Sequence, residues 1–186
     1  QKYMPVNAPN NNLDILAPPF SLKNIDNKTL SLDSLKGANG TVIVFMCNHC
    51  PYVMAIANRL KKDSDELLAH SINTIAIMSN DVINYPDDSF ENMKIFSKKY
   101  NFNFPYLYDE TQEIAKNYDA VCTPDFFGFD RNLILKYRGR IDSGVMTSKQ
   151  NNNIKRELFN AMIKIKDEGV APTQQFNSIG CSIKWK

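Results

Sequence analysis

"TVIVFMCNHCPYV", residues 41–53, is the stretch of the sequence that decides the fold. Its first six residues form an apolar run of mostly β-branched and aromatic side chains without alternation, which is typical of a strand covered on both faces. The run leads directly to Cys47 and Cys50, which are separated by two residues, and then to Pro51. The sequence therefore predicts that a buried strand delivers the chain to a closely spaced pair of thiols.

A helix is predicted immediately after the two cysteines. Apolar side chains recur there at roughly helical spacing, with charged residues between them, at Val53, Ile56, Ala57, Leu60, Leu67 and Leu68. Pro51 fits the first turn of this helix, because its missing N–H would have no intrahelical partner in that position. The cysteines are thus expected at a strand-to-helix junction, the region where open α/β sheets place their sites.

The remaining segments predict an α/β fold with a mixed central sheet and helices on both faces. Two short strands are expected to pair as a hairpin that turns at Asp26 and Asn27, and further strands and helices alternate up to a closing helix that ends at Gly169. We expect an N-terminal arm at 1–16, one folded domain at 17–170 and a polar C-terminal tail at 171–186.

Composition and charge exclude several classes of protein. The chain has 186 residues and a formal net charge of +2, with acidic and basic residues interspersed, so nucleic acid is not the expected partner. No apolar run approaches the roughly 20 residues that a membrane-spanning helix needs, and the sequence therefore predicts a soluble protein. The cytoplasm is favoured, with the periplasm or an organelle as the alternative if an N-terminal signal has been removed.

The cysteine pattern points to reactive thiols more than to a covalent framework. The four cysteines are too few and too dispersed for a disulfide-stapled scaffold: Cys47, Cys50, Cys122 and Cys181. A thiol at a helix start faces unsatisfied N–H groups and the positive end of the helix dipole, so we expect a lowered pKa for Cys47. His49 adds a donor or cation that is expected to tune the pair towards a more oxidising disulfide.

Metal binding is the alternative chemistry for the same residues. A structural zinc site usually needs four ligands, and no second paired motif is present, so Cys122 and His70 would have to be recruited singly. Copper(I) needs only two or three thiolates. A copper site on Cys47 and Cys50, completed by His49 or Cys122, therefore stays open beside the redox interpretation.

The stretch "AVCTPDFFGFD", residues 120–130, is a second candidate for the site. Thr123 and Pro124 introduce a strand, and a proline is tolerated only at the start or edge of a sheet strand. Spacing alone does not predict a cis bond, since only about 5–6% of X–Pro bonds in folded proteins are cis. Cys122 is expected either to approach the site as an accessory thiol or to be a small buried side chain. Cys181 is expected to be either a further relay thiol or an incidental one, and the incidental role is favoured.

Several stretches together resemble one family. "APPFSL", "SLDSLKG", "CNHCP", "CTPDFFGFDRN" and "YRG" are similar to the redoxin branch of the thioredoxin superfamily, which holds the alkyl hydroperoxide reductase and thiol-specific antioxidant proteins. A peroxiredoxin-like subgroup with a CNHC motif resembles the chain most, because "YPDDSFENM", "FPYLYDETQ", "CTPDF" and "GCSIKWK" match it as well. The resemblance runs from about Ala17 to the end of the chain.

The resemblance implies a thioredoxin-like fold with an N-terminal β-hairpin and assigns roles to the site residues. Cys47 would be the nucleophile and Cys50 the resolving thiol. Thr123 and Pro124 would form a cis-proline turn beside them, where the Thr123 backbone would pair with an extended substrate strand.

The chain departs from the family pattern in two respects. Peroxiredoxins carry a Thr or Ser three residues before the peroxidatic cysteine. In this chain the residue three positions before Cys50 is Cys47, and the residue three positions before Cys47 is Val44, so neither position supplies a hydroxyl. Thioredoxins carry a Trp before the cysteine pair and an acidic residue in the preceding strand. In this chain Met46 stands in place of the Trp, and the predicted strand at residues 41–46 contains no acidic residue. A general base would then be His49, a water molecule or a loop carboxylate such as Asp81.

These observations predict a thiol–disulfide oxidoreductase that needs no cofactor beyond its cysteine pair. A thiol-dependent peroxidase is the first alternative, and a soft-metal carrier is the second. Protein or small-molecule thiols and disulfides are the expected partners, with thioredoxin or glutathione as candidate reductants.

Overall fold

The computed structural model of the protein describes residues 4–8, 13–149 and 151–186. The strands of these ranges are β1 Pro5–Asn7, β2 Ser21–Asn24, β3 Thr29–Ser31, β4 Gly40–Phe45, β5 Ile72–Met78, β6 Tyr106–Tyr108, β7 Cys122–Thr123, β8 Asp125–Phe129, β9 Leu135–Gly139 and β10 Ile179–Ser182. The α-helices are α1 Leu32–Leu35, α2 Pro51–Leu68, α3 Phe90–Lys99, α4 Glu113–Asn117 and α5 Glu157–Glu168, and one 3-10 turn spans Pro86–Asp88.

Seven of the strands form a mixed sheet in the order β3-β2-β6-β5-β4-β8-β9. β4 runs parallel to β5, and β5 runs parallel to β6, while β8 lies antiparallel on the other side of β4. The predicted mixed α/β fold is therefore confirmed. The hairpin expected near Asp26 is formed by β2 and β3, which pair antiparallel.

β4 is covered on both faces, which explains its unbroken apolar sequence. Val42 and Val44 belong to a core cluster that also contains side chains of α2, α3 and α5. Ile43 and Phe45 belong to a second cluster, which contains side chains of α1 and α4. Alternate residues of a strand point to opposite faces, so a strand with helices on both faces has no exposed face to keep polar.

The three remaining strands form a small second sheet in the order β1-β10-β7. The C-terminal tail was expected to be an irregular polar segment, but residues 179–182 form β10, which pairs antiparallel with both β1 and β7. Part of the expected N-terminal arm is the strand β1, and residues 1–3 and 9–12 of that arm lie outside the described residues. The domain boundaries at 17 and 170 stay predictions.

None of the helices in the described ranges combines the length and the apolar character that a membrane-spanning helix needs.

Candidate functional site

The two cysteines of the CNHC motif lie at the junction of β4 and α2. Met46 continues the chain beyond β4, and Cys47 follows it as a buried side chain. Cys50 is the N-cap residue of α2, with an extended backbone and no side-chain capping bond, and Pro51 is the first helical residue. Pro51 fits this position because it lacks the N–H that would have no partner in a first turn. The local structure is the one that the sequence predicts.

The turn at Thr123 and Pro124 meets these cysteines. The Thr123–Pro124 peptide bond is cis, as the family resemblance implied and as spacing alone did not predict. The Cys47 Sγ lies 3.5 Å from the Thr123 hydroxyl, and the Cys50 Sγ lies 3.4 Å from the Thr123 carbonyl oxygen. The fold thus brings together four of the residues that the sequence selected, from two segments more than 70 positions apart.

A third cysteine belongs to the same site. Cys181 forms a disulfide with Cys50, and their Cα atoms are 6.1 Å apart. The disulfide therefore contradicts the expectation that Cys181 is incidental, and its part as a relay thiol stays a prediction. The reason lies in the strand register, because β10 places Cys181 directly opposite Thr123 of β7. Cys47 is a free thiol in this state, so the CNHC pair itself is not bonded.

The lowered pKa expected for Cys47 is also wrong in this state. Burial, together with the smaller effect of the nearby Asp88 charge, raises the pKa of the Cys47 thiol from its ordinary value of 9.0 to about 11. The Thr123 hydroxyl and the backbone N–H groups of His49 and Cys50 act in the opposite direction, towards the thiolate. The predicted donors are therefore present, but desolvation of a fully buried thiol outweighs them.

His49 reaches the site through its backbone. Its imidazole is about half exposed, and its Nε2 lies 3.7 Å from a carboxylate oxygen of Asp87, which is equally exposed. The interaction that favours the Cys47 thiolate comes from the His49 backbone N–H. Tuning of the pair by the imidazole stays a prediction.

A buried polar network lies behind Cys47, and sequence reasoning missed it. One oxygen of Asp88 accepts from the Asn48 backbone N–H at 2.8 Å, and the other accepts from the Asn80 side chain at 2.9 Å. The Tyr106 hydroxyl donates to the Asn48 side-chain oxygen at 2.8 Å. Burial raises the pKa of Tyr106 well above its ordinary value, and charge at Cys47 and Asp88 contributes. The only signals in the sequence were isolated polar residues, such as Asn48 inside the CNHC motif and Tyr106 inside a short apolar strand.

Asp81 is hydrogen-bonded within its own loop, and its role as a general base stays a prediction. Its carboxylate accepts from the Asn84 side chain at 2.6 Å and from the Ile83 backbone at 3.0 Å. These bonds, with the Asn84 contact as the largest cause, lower the pKa of Asp81. A carboxylate that is satisfied within its own loop is a weak base. The carboxylate of this loop whose charge acts on Cys47 is Asp88.

Cys122 is a buried free thiol that points away from the other sulfurs. It lies opposite Ser182 in the β7–β10 pair, one position from the Thr123–Cys181 pair. Because neighbouring residues of a strand face opposite sides, Cys122 and Thr123 project in different directions. Burial raises the pKa of the Cys122 thiol, and the Asp125 charge adds to the effect. Of the two expectations for Cys122, this placement favours the small buried side chain. A role for Cys122 as an accessory thiol stays a prediction.

The described residues contain no group of three or more His, Cys, Asp or Glu side chains arranged to hold a metal ion. Zinc binding through Cys122 and His70 would require those side chains to come together with the CNHC pair, and they do not. For copper, Cys50 would first have to be released from Cys181. The arrangement of three sulfurs around Thr123 is instead suited to thiol–disulfide exchange, in which one thiolate attacks one sulfur of a disulfide.

Comparison with known proteins supports this interpretation. The profile of the AhpC/TSA family matches residues 15–138. An uncharacterized conserved protein from Geobacillus kaustophilus is 43% identical, with a TM-score of 0.90 and alignment over 98% of this chain and 97% of that chain. A hypothetical protein from Sinorhizobium meliloti 1021 is 31% identical, with a TM-score of 0.88 over 97% and 98% of the two chains.

A secreted disulfide oxidoreductase from Mycobacterium tuberculosis is similar in fold alone. It is 20% identical, with a TM-score of 0.53 over 63% of this chain and 80% of that chain. No curated protein matches this chain.

Proposed function

Because this chain belongs to the AhpC/TSA family, whose matched region contains both cysteines of the CNHC motif, we propose that it is a thiol–disulfide oxidoreductase. Cys47 and Cys50 are the working pair of this proposal. The observation that carries it is the position of both sulfurs at the cis-proline turn, with Cys47 Sγ 3.5 Å from the Thr123 hydroxyl and Cys50 Sγ 3.4 Å from the Thr123 carbonyl oxygen. The disulfide between Cys50 and Cys181 supports the proposal as well, because it places a cysteine of an extended strand beside this turn.

The proposed reaction reduces a substrate disulfide in two exchanges. The Cys47 thiolate attacks one sulfur of the substrate, so that a mixed disulfide forms and the second substrate sulfur leaves as a thiolate that takes up a proton. Cys50 then attacks the Cys47 sulfur, a Cys47–Cys50 disulfide forms, and the first substrate sulfur leaves. The protein loses two electrons and the substrate gains two.

Thr123 and Pro124 position the substrate in this proposal. The cis bond lies at the end of β7, where the Thr123 main chain faces a neighbouring strand. Main-chain pairing supplies affinity for an extended segment without demanding a particular sequence. We therefore expect the protein to act on protein or small-molecule disulfides as a class, and not on a single partner. A dithiol reductant such as thioredoxin, or glutathione, would return the pair to the reduced state.

Reduction of insulin by dithiothreitol, followed as precipitation of the released chain, tests the proposal. The protein is expected to accelerate this reduction, and Cys47→Ser is expected to fall to the rate without protein. Cys122→Ala is the matched control, because its thiol is equally buried and has no role in the proposal. Failure of the wild type to accelerate the reaction, or full activity of Cys47→Ser, would contradict the assignment.

Peroxidase activity is a second candidate, which the Cys50–Cys181 disulfide also favours. Attack of Cys50 on hydrogen peroxide would give a sulfenic acid and water, and Cys181 would then form the disulfide with release of a second water. The residue three positions before Cys50 is Cys47, which lacks the hydroxyl of the peroxiredoxin pattern. Consumption of peroxide by the reduced protein, lost in Cys50→Ser and kept in Cys47→Ser, would support this candidate over the first.

A further inference from the structure

The C-terminal segment, defined as residues 178–186, is bound along the site as an extended chain. β10 lies between β7 and β1 and pairs antiparallel with both. Beyond the strand, the Ile183 N–H donates to the Val121 carbonyl at 2.9 Å. The Lys184 N–H donates to the Asn80 side-chain oxygen at 2.9 Å. The main chain of the segment is therefore recognised on both sides of Cys181.

Gln112 and Asp81 complete this recognition. The Lys184 carbonyl accepts from the Gln112 side chain at 2.9 Å and from the Asp81 backbone N–H at 2.8 Å. The Gln112 side-chain oxygen accepts from the Lys186 N–H at 3.0 Å. Every one of these contacts uses a main-chain atom of the segment, as in the recognition of an extended peptide by strand addition.

Gly180 lets the segment approach the cis-proline turn closely. A Cβ atom at this position would lie 2.6 Å from the Thr123 carbonyl carbon and 3.1 Å from the Pro124 nitrogen. Both distances are shorter than ordinary van der Waals contact. The segment therefore lies directly against the atoms to which the proposed function assigns substrate binding.

From these contacts we propose that Cys181 is a third redox cysteine of the enzyme, carried by a segment that occupies the substrate position. The inference rests on the proposed function and extends it in two respects. It adds a working residue, and it identifies an internal competitor for the site. An external substrate strand and the C-terminal segment cannot both pair with Thr123, because β10 already uses that edge of β7.

The proposed step transfers a disulfide within the protein. After substrate reduction has left a Cys47–Cys50 disulfide, the Cys181 thiolate attacks the Cys50 sulfur. The Cys50–Cys181 bond forms and the Cys47–Cys50 bond breaks. The electron pair of the broken bond stays on the Cys47 sulfur, which takes up the proton that Cys181 released. The exchange involves no net oxidation and gives the state that the structure contains, with Cys47 free and Cys50 bonded to Cys181.

The transfer would switch the site between a closed state, in which the C-terminal segment is bonded to Cys50, and an open state, in which it is not. The oxidised enzyme holds its own C-terminal segment covalently over Thr123 and admits no second substrate. An external thiol reductant attacks the Cys50–Cys181 disulfide, is itself oxidised and returns both sulfurs as thiols. The segment is then held without a covalent bond, by its hydrogen bonds and by the packing of the buried Ile183 side chain, and can exchange with a substrate strand.

The position of the disulfide in the oxidised protein tests this inference. The reduced wild type, Cys181→Ser and the control Ser182→Ala would each be oxidised by insulin, quenched in acid, alkylated while unfolded and mapped by mass spectrometry under non-reducing conditions. Ser182 is the matched control because it lies in the same strand and faces the other side. We expect a Cys50–Cys181 peptide pair and alkylated Cys47 in the wild type and in Ser182→Ala, and a Cys47–Cys50 disulfide in Cys181→Ser.

The outcomes separate the inference from the function on which it rests. Wild-type protein that reduces insulin but accumulates the Cys47–Cys50 disulfide would overturn the role of Cys181 and leave the proposed function intact. Wild-type protein that does not reduce insulin would contradict the proposed function; the wild type would then be oxidised by diamide and mapped in the same way. A Cys50–Cys181 pair formed under diamide would support the third redox cysteine, and a Cys47–Cys50 pair would overturn it.

Hydrogen exchange gives an independent readout of the closed state. Amides of residues 178–186 are expected to exchange at least tenfold faster in the reduced wild type than in the oxidised wild type. Amides of β4 and β5 serve as the internal reference, because they lie in the centre of the main sheet. Equal protection of residues 178–186 in both redox states would overturn the proposed opening.

Discussion

At the scale of single residues, Cys47 is held as a neutral thiol by its surroundings. The side chain is fully buried, and the negative charge of Asp88 opposes a second negative charge beside it. Backbone N–H groups at the start of α2 provide the stabilisation expected for a thiolate at a helix start, but they do not compensate for the lost hydration. Nucleophilic attack by Cys47 therefore depends on exposure of the site.

Alkylation of Cys47 in the oxidised protein is expected to be slow at neutral pH and to rise with pH. The pKa of about 11 lies above the ordinary value of 9.0, so the rate should increase about tenfold per pH unit and level off only near pH 11. The same shift links stability to pH, because the folded protein holds this proton more tightly than the unfolded chain does. The resulting contribution to the free energy of unfolding is complete below pH 9.0 and is lost as pH rises through about 11. Iodoacetamide labelling with peptide mapping would measure the rate. A plateau near pH 8 would contradict the prediction.

Replacement of Asp88 by asparagine is expected to lower the pKa of Cys47. The substitution removes a buried charge that opposes the thiolate, and a neighbouring charge commonly moves a pKa by about one unit or more. Labelling of Cys47 at pH 8 should therefore become several-fold faster. Asp87→Asn is the matched control, since Asp87 is adjacent but half exposed and lies beside His49. Equal acceleration in both variants would show that loop disruption, not charge, is the cause.

At the scale of secondary-structure elements, β10 is the part of the C-terminal segment that lies against the site. The strand is only four residues long, and its position depends on β7 on one side and β1 on the other. The pairing with β1 covers three residue pairs and the pairing with β7 covers two. The disulfide and the close approach at Gly180 add to these pairings in fixing the strand against the site.

Gly180→Ala is expected to weaken the seating of β10. The added methyl group would meet the Thr123 carbonyl group, and overpacking of this kind typically costs about 1–3 kcal/mol. After oxidation, the fraction of protein with the Cys50–Cys181 disulfide should fall in favour of Cys47–Cys50. Non-reducing peptide mapping measures this fraction, with Ser182→Ala as the control. If the fraction is unchanged in Gly180→Ala, β10 accommodates the added methyl group without losing its position, and the prediction is wrong.

At the scale of the whole molecule, the disulfide joins the start of α2 to the end of the chain. Cys50 and Cys181 are 131 positions apart, so the bond closes a loop that includes most of the domain. Cross-links over long loops remove much conformational entropy from the unfolded chain. The redox state of the site should therefore affect the stability of the whole fold.

Reduction of the wild type is expected to lower its free energy of unfolding by about 2–4 kcal/mol. The measurement is guanidinium unfolding of the oxidised and reduced forms, followed by circular dichroism. In Cys181→Ser the effect of reduction should be much smaller, because a Cys47–Cys50 disulfide closes only a short loop. The same large loss in Cys181→Ser as in the wild type would assign the effect to some other cause.

Much of the fold followed from local patterns in the sequence. The apolar run at residues 41–46 and the helical spacing after Pro51 correctly predicted β4 and α2. The closing helix was also predicted, and α5 ends with Gly169 as its C-cap, as expected. These elements follow from periodicity, capping and proline placement, which depend on neighbours along the chain.

By itself, the sequence determined the α/β fold, the strand-to-helix position of Cys47 and Cys50, and, through family resemblance, the cis-proline turn. The tertiary structure alone decided the partner of Cys50, the raised pKa of Cys47 and the role of Asp88. Each of these depends on residues far apart in sequence: strand register sets Cys181 opposite Thr123, and burial sets the thiol pKa. Pairing register and desolvation are properties of the assembled fold, so no local pattern reports them.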